Sequence, residues 1–378
     1  MAIFITGATG FIGSYVVAGL LQRHADTRLS LLVRAKSQRD AERRLWKALQ
    51  LHMGFDEFEA GLRDRCTLLL GDITEPKVGL DDDAWRSLAH TTDSVIHVAA
   101  SLNRKSSKAC YNVNLRGTLS VVKLAQQAHQ HHGLRRFTDI STMAVAGVRV
   151  HDVVTEDRAI DWNRSDYDSY ARTKKFAEHL ICELLPDVSK LIFRPTTVLG
   201  DSRFPETTQF DMAMAFVWLA ALPVLPFDEG WRMDIVPADY VGKAIVELHQ
   251  RADNAHEAYN LSAGRASPAY RDILQALLDR GYGRPRRFVP SLGRPCETLA
   301  GLLMGTPRSW KVAYPASLMK VFFPYLLADT VYDNQRIVEA LGEAPVPFTA
   351  YAYEYLRFAK EGGFRYPYRP WPSDARDG

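Results

Sequence analysis

Tyr170 and Lys174, four apart in Tyr170-Ala171-Arg172-Thr173-Lys174, are residue types that can move a proton. On a helix that spacing puts both on one face. An ammonium beside a phenol lowers the phenol's pKa, so Tyr170 is expected to donate and regain a proton near neutral pH. Upstream, Ser141-Thr142 follows the apolar run 137–140. A hydroxyl at such a strand end can bond a substrate carbonyl oxygen and hold it beside Tyr170. Asn114 lies on a helix passing under this region, and two roles stay open for it: polar structure or proton relay.

A second constellation binds rather than reacts. Thr6-Gly7-Ala8-Thr9-Gly10-Phe11-Ile12-Gly13 links the first apolar run to the first amphipathic one. Gly7 permits the tight turn, Gly10 the approach of a pyrophosphate, and Gly13 close packing of helix on strand. The helix N-terminus then holds negative charge on its free N–H groups. The second strand ends in Leu31-Leu32-Val33-Arg34, where an NAD site usually carries an acidic residue. Arg34 suits a 2′-phosphate through forked hydrogen bonds, so NADP(H) is the cofactor expected. Arg44 is a second candidate contact, with a solvated basic face as the plain alternative. Asp72 closes the third strand and can bond the adenine amino group, with Ile73 against the ring. Ala99, Ala100 and Ser101 follow the fourth strand and let backbone approach the cofactor's middle. Pro195, Thr196, Thr197 and Val198 follow a later strand and are candidates for the nicotinamide carboxamide. Lys174 is also a candidate to hold the ribose, beside Tyr170.

These residues need elements to hold them. Apolar runs at 2–6, 29–33, 66–70, 94–98, 137–140 and 191–193 read as short strands. Helical pattern fills the gaps, most clearly at 11–24, 37–51, 107–131 and 167–185. Strands alternating with helices signal an α/β fold, a doubly wound parallel sheet covered on both faces. After residue 200 the pattern turns helical and aromatic, with short returning strands at 234–236 and 259–261. The expected organisation is a nucleotide-binding domain over 1–200, with returning segments near 233–262. An interleaved, mainly helical substrate region over 201–365 and an extended tail over 366–378 complete it.

Composition narrows the function. Hydrophobic residues are 47% and charged residues 24%, which are globular values. The net charge of +3, from 47 basic and 44 acidic residues, is too balanced for nucleic acid as the main partner. Four scattered cysteines suit a reducing cytoplasm. His129, His131 and His132 have no carboxylate or cysteine at ligand spacing, so no metal is expected. The longest apolar stretch, 212–227, is broken by two prolines and falls short of the roughly 20 residues of a membrane helix. The stripe 210–227 reads either as core or as a ligand tunnel. The segment 318–327, with Phe322, Phe323 and Tyr325 beside Lys320, reads as core, acyl channel or peripheral membrane contact. The arginines at 280, 284, 286, 287 and 294 read as a solvated face or as a contact for the phosphates of coenzyme A or an acidic carrier protein. The chain starts at its first strand, which suggests no fused domain upstream.

Gly7, Gly10, Gly13, Thr142, Tyr170 and Lys174, in that order, resemble the extended short-chain dehydrogenase/reductase superfamily. So does Met233-Asp234-Ile235-Val236-Pro237. The likeness spans residues 1–280. Counting back from Gly147, Thr142 rather than Ser141 falls where these families place the catalytic hydroxyl. Within the superfamily, Leu32-Val33-Arg34-Ala35, the arginine-rich helix after it, His97-Val98-Ala99-Ala100 and Ser141-Thr142 resemble the male-sterility branch. That branch holds fatty acyl-CoA reductases and thioester reductase domains. The resemblance implies NADPH and an acyl thioester on coenzyme A or an acyl carrier protein, reduced to aldehyde or further to alcohol. The expected assembly is a monomer or homodimer, cytoplasmic or resting on a membrane. The alternatives are a ketone or aldehyde reductase using the same residues, for a 3-oxoacyl or steroid-like substrate, and a silent NADPH-binding sensor. Met143-Ala144 after the hydroxyl argues against sugar-nucleotide dehydration, which needs an acidic pair there.

Overall fold

The computed structural model describes residues 1–104, 106–158, 160–304 and 323–372. Seven parallel strands form the central sheet: β1 (Ala2–Thr6), β2 (Arg28–Val33), β3 (Cys66–Leu70), β4 (Ser94–His97), β5 (Arg136–Ile140), β6 (Lys190–Pro195) and β7 (Ala258–Leu261). Their order is β3-β2-β1-β4-β5-β6-β7. The order reverses between β1 and β4, and in such sheets a ligand crevice opens there beyond the carboxyl ends.

Both faces of the sheet are covered. On one lie α1 (Phe11–Arg23) and α2 (Gln38–Leu49), and on the other α3 (Thr118–His132) and α4 (Ser169–Leu184). Alternate side chains of β1 show why the strand is apolar throughout. Ile3 and Ile5 enter the core under α1, while Phe4 enters the core under α3. Side-chain oxygens of Ser37 and Asp168 accept from the third residue on and start α2 and α4.

The expected single helix over 107–131 runs without a gap to His132 and contains a π-helical segment. Ser107–Cys110 is α-helical, Tyr111–Gly117 is a π-helical turn, and α3 continues to His132. A π-turn shifts the angular position of the residues within it.

The second part packs round its own core. Helices α5 (Asp211–Ala221), α6 (Ala238–Gln250) and α7 (Phe348–Glu361) follow in order. α6 returns to pack on α1. Leu219, Phe227, Phe323, Phe348 and Tyr355 fill the second core, so part of the 210–227 stripe is core. Lys320 and Phe322 lie outside the described residues, as do 373–378. The earlier tail residues are packed on the nucleotide half. Trp371 stands edge-on to Phe55, with ring centroids 4.9 Å apart, and Arg369 N–H donates to Gln50 Oε1 at 2.6 Å.

Among the described residues, no helix is long and apolar enough to cross a membrane, and no group of three His, Cys, Asp or Glu could hold a metal ion. His129 accepts from Leu134 N–H, and His131 stacks on His90.

Candidate active site

A cavity of about 570 Å³ opens beyond the carboxyl ends of the strands. Its floor is the turn from β1 into α1. Gly7 has φ +77°, and a Cβ there would lie 2.6 Å from Ala99 N. A Cβ on Gly13 would lie 2.0 Å from the Gly7 carbonyl oxygen. Only glycine fits at either place. Gly10 caps α1 without a side-chain bond, which leaves N–H groups of the first turn for an anion. These features fit a dinucleotide's pyrophosphate.

Arg34 and Arg44 line one end of the cavity. The Arg34 side chain is 76% exposed and stands 3.5 Å from Asp72. Arg44 donates to the Arg34 carbonyl oxygen and so braces the loop that carries Arg34. Asp72 also accepts from Thr74 N–H and hydroxyl, at 2.9 and 2.8 Å. Partial burial works to raise its pKa, but the Thr74 bonds and Arg34 outweigh that and hold the carboxyl below its ordinary range.

Thr142 and Tyr170 line the cavity at the β5 end, and Thr196 and Thr197 line it beyond the neighbouring β6. Ser141 also borders it, yet its hydroxyl donates to Glu178 Oε2 at 2.9 Å. Glu178 in turn pairs with Arg194, and all three are buried. Among the described residues, Thr142 Oγ1 accepts locally, from Ala144 N–H at 3.2 Å.

Of the expected site residues, Thr6, Gly7, Thr9, Gly10, Phe11, Ile12, Gly13, Arg34, Arg44, Asp72, Ile73, Ala99, Ala100, Thr142, Tyr170 and 195–198 share this one cavity. Ser101 and Lys174 are not in its wall. Asn114 binds both backbone groups of Ser101: its Oδ1 accepts from Ser101 N–H at 2.6 Å, and its Nδ2 donates to Ser101 O at 3.2 Å. The π-turn aims Asn114 at this loop. Lys174 Nζ donates to both carboxylate oxygens of Asp139, each at 3.2 Å. Burial pushes the Asp139 pKa up, with Lys174 opposing that and Glu178 adding to it.

A hydrogen-bonded chain runs beneath the floor. Thr118 Oγ1 donates to Asn114 O at 2.7 Å, so it accepts from His97 Nε2 at 3.0 Å. His97 Nδ1 then accepts from the Thr6 hydroxyl at 2.7 Å, and Thr6 Oγ1 accepts from Ala99 N–H at 3.3 Å. Burial, with Lys174 nearby, takes the His97 pKa down to about 3. A neutral imidazole thus ties β1 to β4 at the reversal point.

Wall or support residues that went unforeseen include Arg104, Tyr167, Asp139 and the cavity-facing Asp234. Asp139 had a signal, being an acid inside an otherwise buried strand. Asp234 is held by Thr196 and Ser262 hydroxyls and Ala263 N–H, and burial raises its pKa to about 6.

The family model described as male sterility protein matches residues 5–245. Isonitrile lipopeptide synthase of Mycobacterium tuberculosis is 32% identical over 276 residues, 66% of this chain. Carboxylic acid reductase of Mycobacterium marinum is 29% identical over 287 residues, 68% of this chain. The chain spans 11% of the first relative and 24% of the second. The terminal R domain of the myxalamid PKS-NRPS pathway superposes with a TM-score of 0.80 at 24% identity, over 96% of this chain and 91% of that one, which shows the fold. A family model spanning well over half of the chain, on a sheet of this order with this glycine turn, places the protein in the male sterility family of extended short-chain dehydrogenase/reductases.

Proposed function

We propose that this chain reduces an acyl thioester, carried on coenzyme A or a carrier protein, to an aldehyde at the expense of NADPH. The observation that carries the reading is one cavity with Arg34 and Arg44 at one end and Thr142 with Tyr170 at the other. Arg34 would meet the 2′-phosphate, and the α1 N-terminus the pyrophosphate. The names of the relatives, a carboxylic acid reductase and a lipopeptide synthase, agree with acyl chemistry.

When bound, NADPH supplies the hydride, and thioester plus NADPH plus one proton gives aldehyde, thiol and NADP⁺. Thr142 donates a hydrogen bond to the substrate's carbonyl oxygen. Tyr170 gives that oxygen a proton as negative charge develops on it. Lys174 lies behind the wall in an ion pair with Asp139 that ties α4 to β5. The hemithioacetal then collapses, its carbon–sulfur bond breaking as thiol leaves and aldehyde forms.

The test is NADPH oxidation across a ladder of acyl-CoA chain lengths, with free thiol and products quantified. Thiol release matched to NADPH loss supports the reading. Consumption of aldehydes or ketones without thiol release from any thioester overturns it in favour of a carbonyl reductase.

A further inference from the structure

Arg104 is held between two aromatic rings. Its guanidinium carbon lies 4.9 Å from the ring centroid of Tyr170 and 4.8 Å from that of Tyr325. The ring of Tyr167 stacks on Tyr325 at 4.4 Å. Tyr167, Tyr325, Arg104 and Tyr170 thus form one cluster, and all four residues border the cavity. Asp168 anchors it. Arg104 Nε stands 3.8 Å from Asp168 Oδ2, and the Tyr325 hydroxyl donates to the same oxygen at 3.3 Å. Asp168 also starts α4, the helix that carries Tyr170.

Lys174 and Arg104 stand in different surroundings. Lys174 makes two bonds at 3.2 Å to Asp139, and both side chains are buried. Arg104 Nε approaches Asp168 at 3.8 Å, and both side chains are 18% exposed. A guanidinium on a ring face is attracted by the ring's quadrupole, more strongly where water is thin. The outer ring comes from beyond residue 322, so the C-terminal part of the chain braces the reacting residue.

We propose that Arg104 is a positioning residue for the reduction: it fixes the Tyr170 ring and sets positive charge on the cavity side of it. As the Tyr170 O–H bond breaks and the proton joins the substrate oxygen, a phenolate remains. Arg104 opposes that charge and transfers no proton itself. Tyr325 keeps Arg104 in place. The proposal rests on Tyr170 as proton donor, not on the identity of the acyl carrier.

The experiment compares the wild type with R104M, R104K, Y325L, Y170F and Y170F/R104M. The substrate is whichever carbonyl compound, thioester or aldehyde, the wild type turns over. NADPH Kd is read by fluorescence. R104M should lower kcat by about tenfold or more with NADPH Kd within about twofold. R104K should regain at least about a third of the lost kcat, since it restores charge without the planar stack. Y325L should lower kcat by about threefold or more. In the Y170F background, R104M should change the residual rate by less than about twofold. An R104M enzyme with unchanged kcat overturns the proposal, as does an equal loss with and without Tyr170. If R104M fails to bind NADPH, Y325L decides, and unchanged kcat in Y325L overturns the proposal. A wild type that reduces aldehydes but no thioester overturns the substrate reading above and leaves this comparison intact.

Discussion

Lys174 Nζ stands 3.2 Å from each carboxylate oxygen of Asp139, with both side chains buried between β5 and α4. Removing one partner leaves the other charged and dry. Asp139→Asn should therefore cost about 3–5 kcal/mol in urea unfolding. The double variant D139L/K174M should regain most of that loss, because no buried charge remains. Additive losses in the double variant would show that the two groups are not coupled.

Neighbouring hydroxyls should separate by role. Thr142→Ala should lower kcat by about 10²-fold with little change in stability, as expected for loss of an oxyanion donor. Ser141→Ala should act mainly on stability, by about 1–3 kcal/mol, since its hydroxyl serves the buried Glu178. Paired kinetic and denaturation measurements decide. A larger kinetic loss in S141A than in T142A would reverse the assignment.

Cofactor choice should follow Arg34. On the proposed role, Arg34→Ser removes a charge-assisted bond to a 2′-phosphate, so the Kd for NADPH should rise about 10–100-fold while that for NADH stays within about twofold. Arg44→Ala should weaken NADPH binding as well, because Arg44 holds the Arg34 backbone. Equal weakening of both cofactors would mean that Arg34 does not read the phosphate.

Glu156 should leave a mark on stability against pH. Burial raises its pKa to about 7, with Asn260 and Arg336 N–H bonds and the Arg336 charge opposing. Its folded value lies above the unfolded one, so the folded chain binds the extra proton between about pH 4.5 and 7. That contribution is fully present below about pH 4.5 and fades as pH rises through 7. The Tm of Glu156→Gln relative to wild type should therefore improve steadily from pH 5 to pH 8. A Tm difference that does not change with pH would show that Glu156 does not titrate in this window.

The glycine turn, the arginine after β2 and the tyrosine–lysine spacing were legible in the residues because each is a local demand. Gly7 must turn at positive φ, Arg34 sits at a countable distance from the glycines, and Tyr170 and Lys174 share a helix face by periodicity alone. The strand–helix alternation likewise follows from short-range pattern, and so does the parallel sheet it implies. What pattern could not reach is where side chains separated by many residues meet. Ser141 is diverted to Glu178 and Lys174 to Asp139 by contacts across β5, β6 and α4. Asn114 turns toward Ser101 through a π-turn, which leaves no period in the sequence. Arg104 and Tyr325 meet over Tyr170 although 221 residues separate them. Local pattern picks out the groups proposed to carry the chemistry, whereas their partners are chosen by packing that forms only once the two halves of the chain close on one cavity.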